Sequence, residues 1–101
     1  MYKVKKDGFS RARGGNSRVL DISCAHCGNH VAYYQKDGPG TLKRMYADRF
    51  IGSEPKGGQL TCSNCDRKVG TLFTYKKENR AAYRLHIGAV SKKIADPSDL
   101  P

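Results

Sequence analysis

Two stretches decide how this chain folds: Cys24-Ala25-His26-Cys27-Gly28 and Cys62-Ser63-Asn64-Cys65. In a C-x-x-C knuckle the two intervening residues turn the backbone until both sulfurs point at one centre. A small residue after the second cysteine relieves crowding where the chain folds back, and Gly28 supplies it in the first knuckle. The second knuckle has Asp66 at that place, a residue that enters the left-handed region less freely than glycine but better than most. The second knuckle thus reads as an imperfect copy of the first.

All four cysteines of the chain fall in these two pairs, and four thiolates at this spacing predict one tetrahedral metal site. Disulfides are the competing explanation. A bridge within one pair closes a very small loop and gains little from chain entropy, whereas bridges between the pairs need an oxidising compartment. Met1-Tyr2-Lys3-Val4-Lys5-Lys6 is charged, without the apolar run of a signal peptide, so a cytoplasmic location and reduced thiols are expected. Zinc is the default ion. A rubredoxin-like iron site uses the same four sulfurs and is the alternative.

With 101 residues, 38% of them hydrophobic, eleven glycines and no tryptophan, the chain has room for one domain whose core is marginal by itself. A small β-rich body stapled by metal is the expectation. No stretch approaches the roughly 20 apolar residues of a membrane span. Nineteen Lys and Arg against nine Asp and Glu give a formal charge of +10. Four metal-bound thiolates and one divalent ion lower this only to +8. So much positive charge on so small a body draws polyanions, nucleic acid foremost; solubility or an acidic protein partner would account for it too.

Residues 1–17 interleave Lys3, Lys5, Lys6, Arg11 and Arg13 with glycines and read as a flexible basic arm. Residues 18–90 form the metal-bearing domain. Within it Arg18–Ile22 and His30–Gln35 flank the first knuckle as a hairpin, and Asp37-Gly38-Pro39-Gly40 breaks the pattern. His26 and His30 stand near the ligands and are expected to be outer or surface groups.

In Thr41–Ile51, Leu42, Met45, Tyr46, Arg49 and Phe50 recur at helical spacing, which predicts a short central helix. Its rival is a strand pairing back onto residues 31–36. Lys43, Arg44 and Arg49 read as a solvated face. Gly52–Gly58 is a loop, Gln59-Leu60-Thr61 re-enters the metal site, and Val69–Tyr75 follows the second knuckle. In Ala81–Val90 the alternation of Tyr83, Leu85 and Ile87 with Arg84 and His86 predicts a strand with one packed face. Residues 91–101 read as a disordered tail.

With its two knuckles and flanking strands the chain resembles the zinc-ribbon family over residues 18–90. The segment Lys36–Arg49, KDGPGTLKRMYADR, is similar to a stretch of small uncharacterised prokaryotic zinc-ribbon proteins. The resemblance implies a mainly β, antiparallel fold in which two knuckle hairpins meet over one zinc ion, with Cys24, Cys27, Cys62 and Cys65 as ligands. The spacer between Cys27 and Cys62 is longer than in minimal ribbons, and Asp66 departs from the small residue usual there.

Four thiolates saturate an ion and leave no position for water, so the expected site is structural and the chain is not expected to be an enzyme. Deaminase, phosphate-loop and nucleophile motifs are likewise missing from the sequence. The leading expectation is a zinc-stabilised module that binds RNA or DNA as a ribosome- or transcription-associated accessory. Lys3, Lys5, Lys6, Arg11, Arg13, Lys43, Arg44, Lys76, Lys77, Arg80 and Arg84 are its candidate phosphate contacts, with Tyr33, Tyr34, Tyr75 or Tyr83 as stacking planes. A protein-interaction adaptor with a basic surface is the alternative, and an iron electron carrier the third reading.

Overall fold

A computed structural model describes residues 4–52, 55, 57–96, 98 and 100. The chain forms α1 (Gly8–Ala12), β1 (Ser17–Cys24), β2 (His30–Asp37), β3 (Arg44–Tyr46), β4 (Phe50–Ile51), β5 (Gln59–Thr61), β6 (Lys68–Tyr75), β7 (Arg80–Leu85) and β8 (Val90–Ile94). The strands make two antiparallel four-stranded sheets, ordered β4-β2-β1-β8 and β3-β7-β6-β5. Each knuckle is the turn of a hairpin, β1–β2 in the first sheet and β5–β6 in the second.

One core serves both sheets. Leu20, Ile22, Tyr34 and Phe50 enter it from the first sheet, and Met45, Leu60, Val69 and Tyr83 from the second. Alternation along the strands sets the pattern: in β1 every second residue from Leu20 to Cys24 is buried. Phe50 bridges the sheets, edge-on to Tyr34 at 5.6 Å and to Tyr83 at 6.1 Å between centroids.

The central helix expected over Thr41–Ile51 is not formed. The segment is strand β3, a three-residue 3-10 turn at Ala47–Arg49, and strand β4. The rival strand reading is met in part: β4 pairs with β2 through Tyr33↔Ile51 and Tyr34↔Phe50, while β3 crosses to β7 in the other sheet. The 3-10 turn carries the chain between the sheets, so Met45 and Phe50 both reach the core from different layers. Apolar positions that serve two sheets mimic a helical period.

Two ends of the expected domain also differ. Instead of an arm apart from the body, Gly8–Ala12 is a helix capped by Asp7, whose carboxylate accepts from the Phe9 and Ser10 amides while Ser10 Oγ accepts from the Asp7 amide. It is docked by an ion pair to a buried arginine. Arg49, 1% exposed, reaches Asp7 at 2.7 Å and Asp37 at 2.8 Å; the solvated face expected for it is wrong. Val90–Ile94, expected in a disordered tail from residue 91, pairs with β1 from Cys24↔Val90 to Leu20↔Ile94.

Gly38 shows why the Asp-Gly-Pro-Gly break sits where it does. Its φ is +74°, and a Cβ there would stand 2.8 Å from both Cβ and the carbonyl oxygen of Arg13. Only glycine fits where the segment after α1 crosses the end of β2.

Candidate metal centre and basic clefts

The two knuckles repeat one hydrogen-bond pattern. The Cys24 amide donates to the Asn29 carbonyl at 2.8 Å and the Gly28 amide to the Cys24 carbonyl at 2.8 Å. In the second, Cys62 donates to Arg67 at 2.9 Å and Asp66 to Cys62 at 2.9 Å. Gly28 has φ +78° and Asp66 +61°, so the aspartate takes the left-handed place that glycine fills in the first knuckle. In each pair the leading cysteine, Cys24 or Cys62, is buried, while Cys27 is exposed and Cys65 partly so.

The four sulfurs lie within 4.8 Å of one another. Cys24 Sγ stands 3.8 Å from Cys65 Sγ, and Cys27 Sγ 3.5 Å from Cys62 Sγ. A tetrahedron of thiolates about 2.3 Å from a central ion has edges of roughly 3.8 Å, so the cluster has the size the metal requires. All four cysteines are free thiols, and the disulfide explanation fails. The sulfurs compete for charge. The Asn64 side chain and the Asn29 backbone bring the Cys27 thiol down to about 6. The Arg67 backbone pulls Cys65 the same way, but burial and the other three sulfurs push it up to about 11. A divalent cation held by the four sulfurs would remove that competition.

Neither nearby histidine belongs to the cluster. His30 Nδ1 lies 2.7 Å from the Asp21 carboxylate, its ring beside Tyr33, and His26 is exposed. Comparison with family models, with curated proteins and with solved structures finds no match. Mostly antiparallel strands with two clustered cysteine knuckles that could hold one metal ion are consistent with a zinc-ribbon-like module.

The candidate phosphate contacts divide. Lys3 lies outside the described residues. Arg80, 6% exposed, is held internally by Asp48 at 2.7 Å and Glu78 at 3.0 Å, between the rings of Phe9 and Tyr46. Arg13 is likewise paired with Glu78 at 2.7 Å and donates to the Tyr46 hydroxyl. The Lys5 ammonium donates to the Asp48 carbonyl. Lys6, Arg11, Lys43, Lys76, Lys77 and Arg84 are exposed, and Arg44 is half-buried over the Tyr75 ring.

Three adjoining clefts gather much of the remaining charge. The first, about 510 Å³, is lined by Arg13, Lys36, Lys43 and Arg44 beside Tyr46. It shares Leu42, Lys43 and Arg44 with the second, about 520 Å³, which adds Arg84 and His86 over Phe73 and Tyr75. The second shares His86 to Ala89 with the third, about 290 Å³, which adds His26, Arg67 and Lys68 next to both knuckles. Among the described residues lining the three, Asp37 is the one carboxylate. It is already engaged by Arg49, Ser17 and Gln35. Burial first, and then the charges of Arg18, Lys92 and Arg13, lower the Lys36 ammonium, against the opposing charge of Asp37.

The clefts are tied to the candidate metal centre through the backbone. The turn between β7 and β8 is tied to the first knuckle, the Ala25 amide donating to the Ala89 carbonyl at 2.9 Å, and to the second hairpin, the His86 amide donating to Val69 at 2.9 Å. Residues 86–89 thus span both halves of the centre. Ile87, expected on the packed face of a strand, lies beyond β7 with its side chain fully exposed. Lys36, Arg67 and Lys68 line the clefts but were no part of the sequence-based set; each stands next to a hairpin end, and their chain positions alone do not bring them together. Arg49 was missed as a structural ion because its partner Asp7 lies 42 positions away.

Proposed function

We propose that the chain is a zinc-stabilised module that binds nucleic acid, RNA or DNA, as an accessory of the ribosome or of transcription. The observation that carries the reading is the run of joined clefts whose lone carboxylate is already satisfied. Arg13 has Glu78 as its partner, but Lys36, Lys43, Arg44, Arg67, Lys68 and Arg84 along the same path have no carboxylate in a salt bridge among the described residues, and cations so gathered suit a phosphate backbone. Four thiolates complete the coordination of zinc, so the ion's part is to hold the two hairpins together and not to catalyse.

The test is a fluorescence-polarisation titration of the metal-loaded protein with labelled oligonucleotide between about 50 and 200 mM salt. Binding that weakens steeply with salt is expected; no binding at the lower salt, or binding indifferent to salt, would overturn the reading. Metal analysis and the optical spectrum of the purified protein decide the ion, zinc being colourless and iron thiolate coloured.

One observation favours the adaptor reading: Ile87, an apolar side chain fully open to solvent between two cationic clefts, suits a protein partner's surface. A pull-down that survives nuclease treatment would move the conclusion to that side.

A further inference from the structure

Resting on that reading, we infer that the middle cleft is a stacking platform for unpaired bases, and that the module takes single-stranded nucleic acid in preference to duplex. The floor is the outward face of β3, β6 and β7. Arg44 and Arg84 stand directly opposite one another across the β3–β7 pair. Each guanidinium covers a ring of β6, Arg44 over Tyr75 at 3.9 Å and Arg84 over Phe73 at 4.6 Å. Like charges directly opposite on a sheet are destabilising, and among the described residues no carboxylate pairs with either arginine. Arg44 Nε donates to the Tyr46 hydroxyl at 2.9 Å, so what the pair still lacks is a counter-charge, which an anionic ligand would supply.

The same face shows a cation with counter-charge and cover, though the buried Arg80 Nε has no hydrogen-bond partner. Arg80, farther along β7, has two carboxylates and is sealed by the Phe9 ring of the N-terminal segment at 4.0 Å. The Arg44 and Arg84 end has neither cover nor counter-charge. Guanidinium planes backed by aromatic rings are surfaces on which unstacked bases lie flat. A duplex keeps the faces of its bases hidden and offers only phosphate. Lys43, on the rim shared with the neighbouring cleft, is placed to meet the backbone of the strand.

The experiment compares labelled single-stranded and hairpin-duplex oligonucleotides of the same sequence on metal-loaded wild type, Arg84→Lys, Phe73→Leu and Lys43→Gln. Thermal melting and bound metal serve as controls of fold. Wild type should prefer the single strand. Arg84→Lys keeps the charge and loses the plane, so single-strand affinity should fall about tenfold with the salt slope unchanged and duplex binding unaltered. Phe73→Leu should do the same if Arg84→Lys perturbs the fold. Lys43→Gln should weaken both forms and make the salt slope shallower by about 0.7 for the single strand.

Equal affinity for the two forms, or an unchanged single-strand affinity in Arg84→Lys and Phe73→Leu, overturns the platform; salt-dependent binding would then still uphold the broader function. Displacement of the single strand by poly-glutamate as readily as by unlabelled oligonucleotide also overturns it, in favour of an acidic protein. Absence of any oligonucleotide binding removes both proposals together.

Discussion

Set side by side, the hairpins β1–β2 and β5–β6 are the same object up to their knuckles and different objects beyond them. Displaced by 38 positions (24 to 62, 27 to 65), they share register and bulge: Ile22↔Ala32 answers Leu60↔Gly70, and Ser23↔His30 answers Thr61↔Lys68, each with its irregularity just before the cysteine. Past the turn the displacement matches Gln35 with Phe73 and Asp37 with Tyr75. Gln35 and Asp37 fasten the protein's own N-terminal segment, through Lys5 and through Arg49 with Asp7. Phe73 and Tyr75 carry two arginines and are left open. Metal chemistry fixes what must be common; the outward residues are free to diverge, and in one hairpin they are consumed by the fold.

The largest effect should come from attacking the common part. Chelation at neutral pH removes a centre whose binding energy is on the order of 10 kcal/mol in small zinc modules. Both hairpins should unfold in one transition, followed by circular dichroism and amide exchange; survival of either sheet alone would break the equivalence. Next is the fill of the first hairpin. Arg49→Met strands the buried Asp37 carboxylate, and a loss of about 3 to 5 kcal/mol in urea unfolding is expected.

The same ion pair, chiefly the Arg49 side chain, holds Asp7 at about 2 against a usual 3.8. A depressed carboxylate contributes stability above its unfolded value and loses it as the pH falls from about 4 towards 2. Asp7 is 40% exposed, so solvent screening limits that contribution to about 1 kcal/mol. Carboxyl titration by NMR should show Asp7 return towards its usual value in Arg49→Met.

Gly38→Ala should cost about 2 kcal/mol, from the contact with Arg13 and the positive φ together. The smallest pair sharpens the comparison most. Gly28→Ala should lose about 1 kcal/mol and Asp66→Gly gain up to about 1, because both positions are left-handed and only one now has the residue suited to it. Thermal denaturation of the metal-loaded variants reads both signs.

The knuckles were legible because coordination demands a local spacing, and a spacing is what a sequence displays. Asp66 was recognisable as the glycine's counterpart for the same reason. The segment from Leu42 to Phe50 was not legible, since its apolar residues answer to two sheets at once and a sharp 3-10 turn imitates a longer helix. Asp7 and Ser10 do carry a capping pair, a local signal of the helix that follows. Strand β8 hid because its support is backbone pairing with β1; its side chains Lys92 and Lys93 are exposed and say nothing of a strand.

That last pairing bears on how the protein is made. Strand β1 is synthesised before its outer neighbour, residues 90–94, and before the partner knuckle, which ends only at Cys65 and would complete its candidate metal site. Until Cys65 is made the first hairpin is therefore half a clamp, and until residues 90–94 follow, β1 keeps an unpaired edge. The nascent chain waits for its own later residues before it can close, and a pause in translation between the knuckles would leave two thiols to whatever metal or chaperone meets them first.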